Sequence, residues 1–298
     1  MKTILVFGAT GNVGAHVVNK LSALSAQGAH GPTVRAFVRD QAAAAARLGD
    51  SGIEIVAGDL DDPTTVRRAL AGVDRVLLTA ADGPDKVAHE NAVIDAAAAA
   101  GVELVVKLSA LHADPASPLP AFAWHGEIEQ HLDKSGVGAV VLQPSFYMSN
   151  LLMVAAGVAH SNSLFAPTGG GAVGMIDIRD VAAVAAAVLV DDRRADHTAT
   201  RTLQLTGPTA VTFHDVAAAL SQVVGRTIEY VDLTAEEARP RFEGAGLPAW
   251  MQQHLAGVFD LIRAGAFATT TDAVRELTGR PATTISDFFR DHAHAFAN

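Results

Sequence analysis

The chain has 298 residues, a formal net charge of −10 at pH 7 and a sequence pI of about 5.6. That balance argues against a nucleic-acid or anionic-membrane surface. It contains no cysteine, which excludes disulfides, thiolate metal sites and cysteine nucleophiles. Hydrophobic residues make up 49% and aromatic ones only 5%, so the core of one large or two modest domains must be mostly Ala, Val and Leu.

In chain order, short apolar runs at 3–7 (TILVF), 33–38 (TVRAFV), 53–56 (IEIV), 74–79 (DRVLLT), 103–109 (ELVVKLS) and 138–142 (GAVVL) predict strands. Helices are predicted between them at 12–26, 41–48, 63–71, 84–100 and 120–135; Asp62-Pro63 marks the start of the third and Gly101 the end of the fourth. This alternation predicts an α/β fold, a doubly wound parallel sheet with helices on both faces. After about residue 145 the rhythm breaks. A Gly-rich stretch (167–174) leads to a helix at 179–192 that packs back on the first part. Strands follow at 201–207 and 227–233, then short helices over 234–298 punctuated by Pro240, Pro248 and Pro281. The expected division is a larger domain over 1–150 and a smaller α/β lobe over 151–298 that completes a cleft. The apolar run before Gly8 is too short for a signal peptide. The longest run, VAAVAAAVLV at 181–190, is far below the ~20 residues that span a bilayer. A cytoplasmic protein with no membrane contact is expected.

The strongest motif is GATGNVG, with Gly8, Gly11 and Gly14 between the first strand and the first helix. Glycines alone would mark only a turn. A strand–glycine loop–helix context lets backbone approach a pyrophosphate whose charge faces a helix N-terminus. Thr10, Asn12 and Val13 share this dinucleotide-binding loop. Cofactor type is read at the end of the second strand, where an acid serves an NAD ribose and an arginine a 2′-phosphate. The strand ends FVRD. Arg39 therefore points to NADP(H), with Arg35 on the same strand to assist; the other reading makes Arg39 a surface residue, and Asp40 keeps NAD(H) possible.

TILVFGATGNVG, FVRD, GDLDD (58–62), VVKLSALHADPASP (105–118) and LTGRPATTISDFF (277–289) together resemble the NmrA-like family of atypical short-chain dehydrogenases/reductases, in particular its NAD(P)H:quinone oxidoreductase type 2-like subgroup. The resemblance implies a Rossmann domain with a C-terminal substrate lobe. It places Asp59 near the adenine and Thr79 and Ala80 near the nicotinamide ribose. Ser109 stands where the wider superfamily often keeps a catalytic serine, or else caps the strand end. Lys107, one of five lysines, alternates with Ser109 on that strand; its charge serves the cofactor cleft or snorkels to solvent.

The wider superfamily carries Tyr-x-x-x-Lys on the helix at 120–135. Here neither tyrosine has a lysine four residues on, and WHGEIE (124–129) puts His125 and Glu129 at that place. Four residues apart on a helix, they face the same way. One reading is a solvated face; the other has His125 binding substrate or donating a proton with Glu129 orienting it. A metal site lacks the third and fourth ligands. Gln143 stands where relatives often carry arginine, and Phe146, Tyr147, Met148 and Asn150 are expected to line the cleft or to be core. No G-x-S-x-G elbow supports a hydrolase. The expected activity is flavin-independent, NADPH-dependent hydride transfer to a quinone or similar small acceptor beside His125, Ser109, Glu129 and Tyr147. The expected partner is that small molecule, and the protein a monomer or homodimer. The alternative is a non-catalytic NADP(H)-sensing regulator acting through a protein partner.

Overall fold

The computed structural model describes residues 2–26, 31–49, 52–192 and 200–297. The elements run β1 (Thr3–Val6), α1 (Asn12–Ala26), β2 (Thr33–Val38), α2 (Gln41–Leu48), β3 (Glu54–Ala57), α3 (Pro63–Leu70), β4 (Arg75–Leu78), α4 (Lys86–Ala99), β5 (Leu104–Leu108), α5 (Pro120–Lys134) and β6 (Gly138–Pro144). A 3₁₀ segment (Met148–Val154) precedes α6 (Ala155–Ser161), β7 (Ser163–Ala166), β8 (Ala172–Val173), α7 (Ile178–Val190), β9 (Arg201–Leu205), β10 (Val211–Thr212), α8 (Phe213–Val224) and β11 (Glu229–Asp232). The last helices are α9 (Ala235–Gly244), α10 (Ala249–Arg263), α11 (Ala273–Thr278) and α12 (Ile285–His292). Among the described residues no helix is long and apolar enough to cross a membrane.

The chain forms two compact units. The first comprises Met1–Ala116, Ala121–Gln143 and Ile178–Gln204; the second comprises Ser117–Pro120, Pro144–Asp177 and Leu205–Asn298. The sheet of the first has seven strands in the order β3-β2-β1-β4-β5-β6-β9. All pairings among β1 to β6 are parallel. The order reverses between β1 and β4, and a doubly wound sheet binds its ligands beyond the strand ends at such a switch point. Strands buried on both faces read as continuous apolar runs; Ile4, Leu5 and Val6 of β1 are fully buried. Leu5 and Phe7 pack into one core with Val66 and Leu70 of α3, Val93 and Ile94 of α4, and Ile128 and Leu132 of α5. The alanine-rich α7 lies against α1 and against β4 and β5.

Helix ends explain much of the agreement with the sequence pattern. Asp62 accepts the Thr64 N–H at the start of α3, with Pro63 in its first turn. Gly101, at φ +75, follows α4. Arg75, only 1% exposed, reaches from β4 to the end of α7, donating to the Leu189 carbonyl at 2.8 Å and pairing with Asp192. A cation there meets the negative end of the helix dipole.

Within the second unit, β11 pairs parallel with β7 and β10 antiparallel with β8, and α12 packs on α8. Two helices, α6 and α8, and three short strands, β7, β8 and β10, stand where the apolar pattern predicts none. For α8 a signal exists: Thr212 and Asp215 form a reciprocal capping box. Pro240 does not separate helices but lies inside α9. It lacks the N–H that would otherwise bond one turn back, and the short helix absorbs the loss.

Helix α5 is set close to the loop before it. A Cβ on Gly126 would lie 2.2 Å from the Pro115 nitrogen and 2.4 Å from the Asp114 carbonyl carbon. Gly126→Ala therefore forces helix and loop apart, at a cost of about 1–3 kcal/mol. The expected outcome is a melting temperature several degrees lower by circular dichroism; an unchanged value would mean that this contact does not form.

Candidate active site

The glycine loop after β1 is shaped by what Gly8 and Gly14 cannot carry. Gly8 has φ +69, and a Cβ there would sit 2.3 Å from the Thr79 carbonyl oxygen. A Cβ on Gly14 would approach the Gly8 carbonyl oxygen to 2.1 Å. These two glycines bring β1, the end of β4 and the start of α1 together. Gly11 differs. Its Cβ would meet only the Gly8 oxygen, at 3.1 Å, and Gly11 and Asn12 are exposed. Thr10 is half-buried, whereas Val13 and Gly14 are buried beneath the turn. The first turn of α1 contains no acidic residue. An open glycine before a helix start without local negative charge fits a bound pyrophosphate.

At the end of β2, Arg39 and Asp40 are both exposed, but their places differ. Asp40 caps α2, its Oδ1 accepting from the backbone N–H groups of Ala42 and Ala43 at 2.9 and 3.0 Å. Arg35 is not placed to assist at the strand end. It donates to Glu54 at 2.9 Å and to the carbonyls of Ala69 and Ala71 at 2.7 and 3.0 Å, which fixes it between β3 and the end of α3. Asp59 is half-buried in its turn, accepting the Asp61 N–H at 3.2 Å.

The ends of β4 and β5 meet α4 and α5 in a buried charged network. Glu90 of α4 is 0% exposed. Its Oε1 accepts the Ala80 N–H at 3.0 Å and Lys86 Nζ at 2.8 Å, while its Oε2 lies 2.8 Å from Lys107 Nζ. Lys86 also donates to the Ala80 carbonyl at 2.9 Å and stands 3.3 Å from Asp82. Both sides of the Ala80 residue are thus held, its N–H by Glu90 and its C=O by Lys86. Lys107, fully buried, contacts the Leu108 carbonyl and lies 3.1 Å from His125 Nδ1. Burial lowers its pKa from 10.5 to about 8, opposed chiefly by the Glu90 carboxylate.

His125 is 6% exposed, so the solvated-face reading of WHGEIE does not hold for it. Its Nε2 lies 3.6 Å from Asp82 Oδ1. Glu129 is not its orienting partner. The Glu129 carboxylate instead accepts from Ser109 Oγ and, at 3.0 and 3.1 Å, from Gln143 Nε2. Lys107 likewise does not snorkel, since its ammonium is enclosed. Ser109, at 4% exposure, is more than a strand end because its hydroxyl reaches α5. The first unit therefore gathers Lys107, Ser109, His125 and Glu129, and separately Gly8, Gly14 and Thr79. Tyr147 belongs to the second unit, where it bridges to Ile176. Among the described residues no three His, Asp or Glu side chains are grouped as a metal would require.

Residues 1–289 match the model of the NmrA-like family. The chain belongs to the NmrA-like family. It is 38% identical to the NAD(P)H azoreductase of Xenophilus azovorans, over 98% of this chain and 99% of that one. Identity to quinone oxidoreductase 2 of Escherichia coli is 30%, over 95% and 96% of the two chains. The crystal structure of the NADPH-dependent quinone oxidoreductase from Escherichia coli complexed with NADPH superposes with a TM-score of 0.86 at 29% identity, covering 98% of this chain and 99% of that one.

In this NmrA-like chain, sequence reasoning misses Lys86, Glu90 and the partner role of Gln143. Lys86 and Glu90 are spaced i,i+4, which ordinarily describes a wet helix face; nothing in their spacing announces burial.

The lowered pKa of Lys107 has a consequence for stability. Between about pH 8 and 10.5 the unfolded chain binds the proton that the folded chain has released, so this group's contribution to stability rises with pH. Urea unfolding of the wild type and Lys107→Met should show the difference between them shifting by about 2 kcal/mol in favour of the wild type from about pH 7 to 9.5. A pH-independent difference would mean that the ammonium is not destabilised by burial.

Proposed function

We propose that this protein is an NADPH-dependent oxidoreductase that delivers a hydride to a quinone or similar small electron acceptor without a flavin. The observation that carries the choice of acceptor lies on α5. Where ketone reductases of the wider superfamily carry Tyr-x-x-x-Lys, this helix presents His125 and Glu129, with Lys107 buried behind the histidine. Reduction of a ketone leaves an alkoxide, whose conjugate acid is comparable with water at about 15.7, and it needs a strong proton donor. Reduction of a quinone leaves a phenolate nearer 10, which water can protonate. The names of the azoreductase and quinone oxidoreductase relatives agree with an acceptor of that kind.

Gly8, Thr10, Gly11, Asn12, Val13 and Gly14 hold the pyrophosphate in this reading. Arg39 meets the 2′-phosphate, Asp59 the adenine, and Thr79 and Ala80 the nicotinamide ribose. Asp40 is committed to capping α2, which favours NADPH over NADH. Bound there, the nucleotide supplies the hydride. The acceptor lies beside His125, with Ser109 and Glu129 shaping its surroundings. Lys107, expected among the cofactor contacts, has no exposed surface, and its part is assigned through His125 instead. The protein acts as a cytoplasmic monomer or homodimer, with no nucleic-acid or membrane partner.

Loss of one charge-assisted hydrogen bond costs roughly ten- to a hundred-fold in affinity. Arg39→Ala is expected to weaken NADPH by about that factor in calorimetric titration while hardly changing NADH; equal losses for both would remove the phosphate role. Replacing His125 by Ala should reduce turnover moderately, by less than the ~10²–10⁴-fold credited to a general acid, with NADPH affinity nearly unchanged. NADPH oxidation against a panel of quinones and azo compounds measures both this and the reading itself. Tight NADPH binding with no acceptor reduced by the wild type would leave the sensor as the better account.

A further inference from the structure

The hydrogens of Lys107 can be counted. An ammonium has three N–H bonds and no lone pair. Its nitrogen has three polar neighbours: Glu90 Oε2 at 2.8 Å, the Leu108 carbonyl, and His125 Nδ1 at 3.1 Å. Glu90 Oε2 faces the ammonium as an ion pair and accepts no hydrogen bond, but an ammonium without a lone pair can meet Nδ1 only as donor, so Nδ1 must accept. The single hydrogen of a neutral imidazole then sits on Nε2. From this geometry we infer that Lys107, held in place by Glu90, fixes His125 as a neutral imidazole in its Nε2–H form, so that the histidine stabilises the reduced acceptor by donating a hydrogen bond rather than by releasing a proton.

The inference rests on the reading of the acceptor site given above. Lys107 and Glu90 are positioning residues in it, acting through His125. A second proton on Nδ1 would point at the ammonium from 3.1 Å between two buried side chains, which like-charge repulsion opposes. The charged groups facing Lys107 come from three places: Glu90 and Lys86 on α4, Asp82 in the loop after β4, and His125 on α5, and the Asp82 carboxylate also faces His125, its Oδ1 3.6 Å from Nε2. Glu129, one turn along α5, is occupied by Ser109 and Gln143. Glu90 also accepts the Ala80 N–H. One carboxylate therefore sets both the peptide assigned to the nicotinamide ribose and, through Lys107, the histidine assigned to the acceptor. The arrangement has an upper pH bound. Above about 8, Lys107 loses its proton, and a neutral amine can accept from Nδ1–H as readily as donate to Nδ1.

Long-range ¹H–¹⁵N correlation spectra of the ¹⁵N-histidine-labelled full chain test this directly, with His125→Asn used to assign the signal. The wild type is expected to show His125 with Nδ1 unprotonated and Nε2 protonated from about pH 6 to 8, without the imidazolium that an ordinary histidine forms near 6.5. In Lys107→Met, His125 should become a mixture of both neutral forms and titrate in the ordinary range. The same variant should lose roughly ten-fold in acceptor turnover, the lower end for one charge-assisted hydrogen bond, and should lose the wild type's decline in turnover above about pH 8. An Nδ1–H form or an imidazolium in the wild type at neutral pH would overturn the inference, as would an unchanged His125 spectrum in folded Lys107→Met. The wild-type spectrum decides even if the variant does not fold. Failure of the wild type to reduce any acceptor would remove the functional reading, and the spectrum would still decide the state of His125.

Discussion

The buried carboxylate of Glu90 is the constraint on which the C-terminal ends of the central strands depend. It has no exposed surface, yet it faces two buried lysines and a backbone N–H. A buried carboxylate persists only when opposite charge and donors surround it, and removing one partner of such a set typically costs several kcal/mol. Its Oε1 takes hydrogen bonds from Lys86 of α4 itself and from Ala80 at the end of β4, while Oε2, which accepts no hydrogen bond, faces the Lys107 charge from β5 at 2.8 Å. Satisfying one charge thus fixes the relative placement of two strand ends and a helix. It also fixes Lys107 behind α5, where its ammonium meets His125.

Helix α5 consequently presents two hydrogen-bond systems side by side. His125 belongs to the Lys107–Glu90 group; Glu129, one turn later, belongs with Ser109 and Gln143. A residue pair that looks like one acid–base unit in the sequence is divided by what lies beneath the helix. Gln143 supplies an uncharged donor to both oxygens of Glu129, so an arginine at that position is not needed to satisfy the carboxylate. The close seat of Gly126 on residues 114–115 holds the helix at a depth where His125 is nearly enclosed.

Much of the first unit was legible because its sheet is buried on both faces. Runs such as TILV and LVVKL have one interpretation when short and flanked by glycine or capping residues, and Asp62-Pro63 and Gly101 mark helix ends by backbone chemistry alone. The glycine loop after β1 was legible through its backbone, Gly8 and Gly14 standing where a Cβ would run into the Thr79 and Gly8 carbonyl oxygens. The second unit was less so. Its strands are two to four residues long, too short to establish a period, and α6 is made of small residues with little amphipathic contrast. Lys86 and Glu90 escaped notice because charged residues spaced by one helical turn usually face water; only the tertiary structure turns them inward. The strand pattern singles out Lys107, but the direction in which its long side chain runs is not encoded in strand alternation.

The capping bond made by Asp40 bears on how this protein could be re-engineered for another nucleotide. Its carboxylate already closes the first turn of α2 through the N–H groups of Ala42 and Ala43. An aspartate turned towards a ribose would leave those donors without their acceptor, so helix closure and diol recognition compete for the same carboxylate. A variant designed to use NADH would need a new acid at a different position, or a serine or threonine to take over the cap and release the aspartate. If Arg39 has the role proposed for it, removing that arginine alone would take away one preference without installing the other.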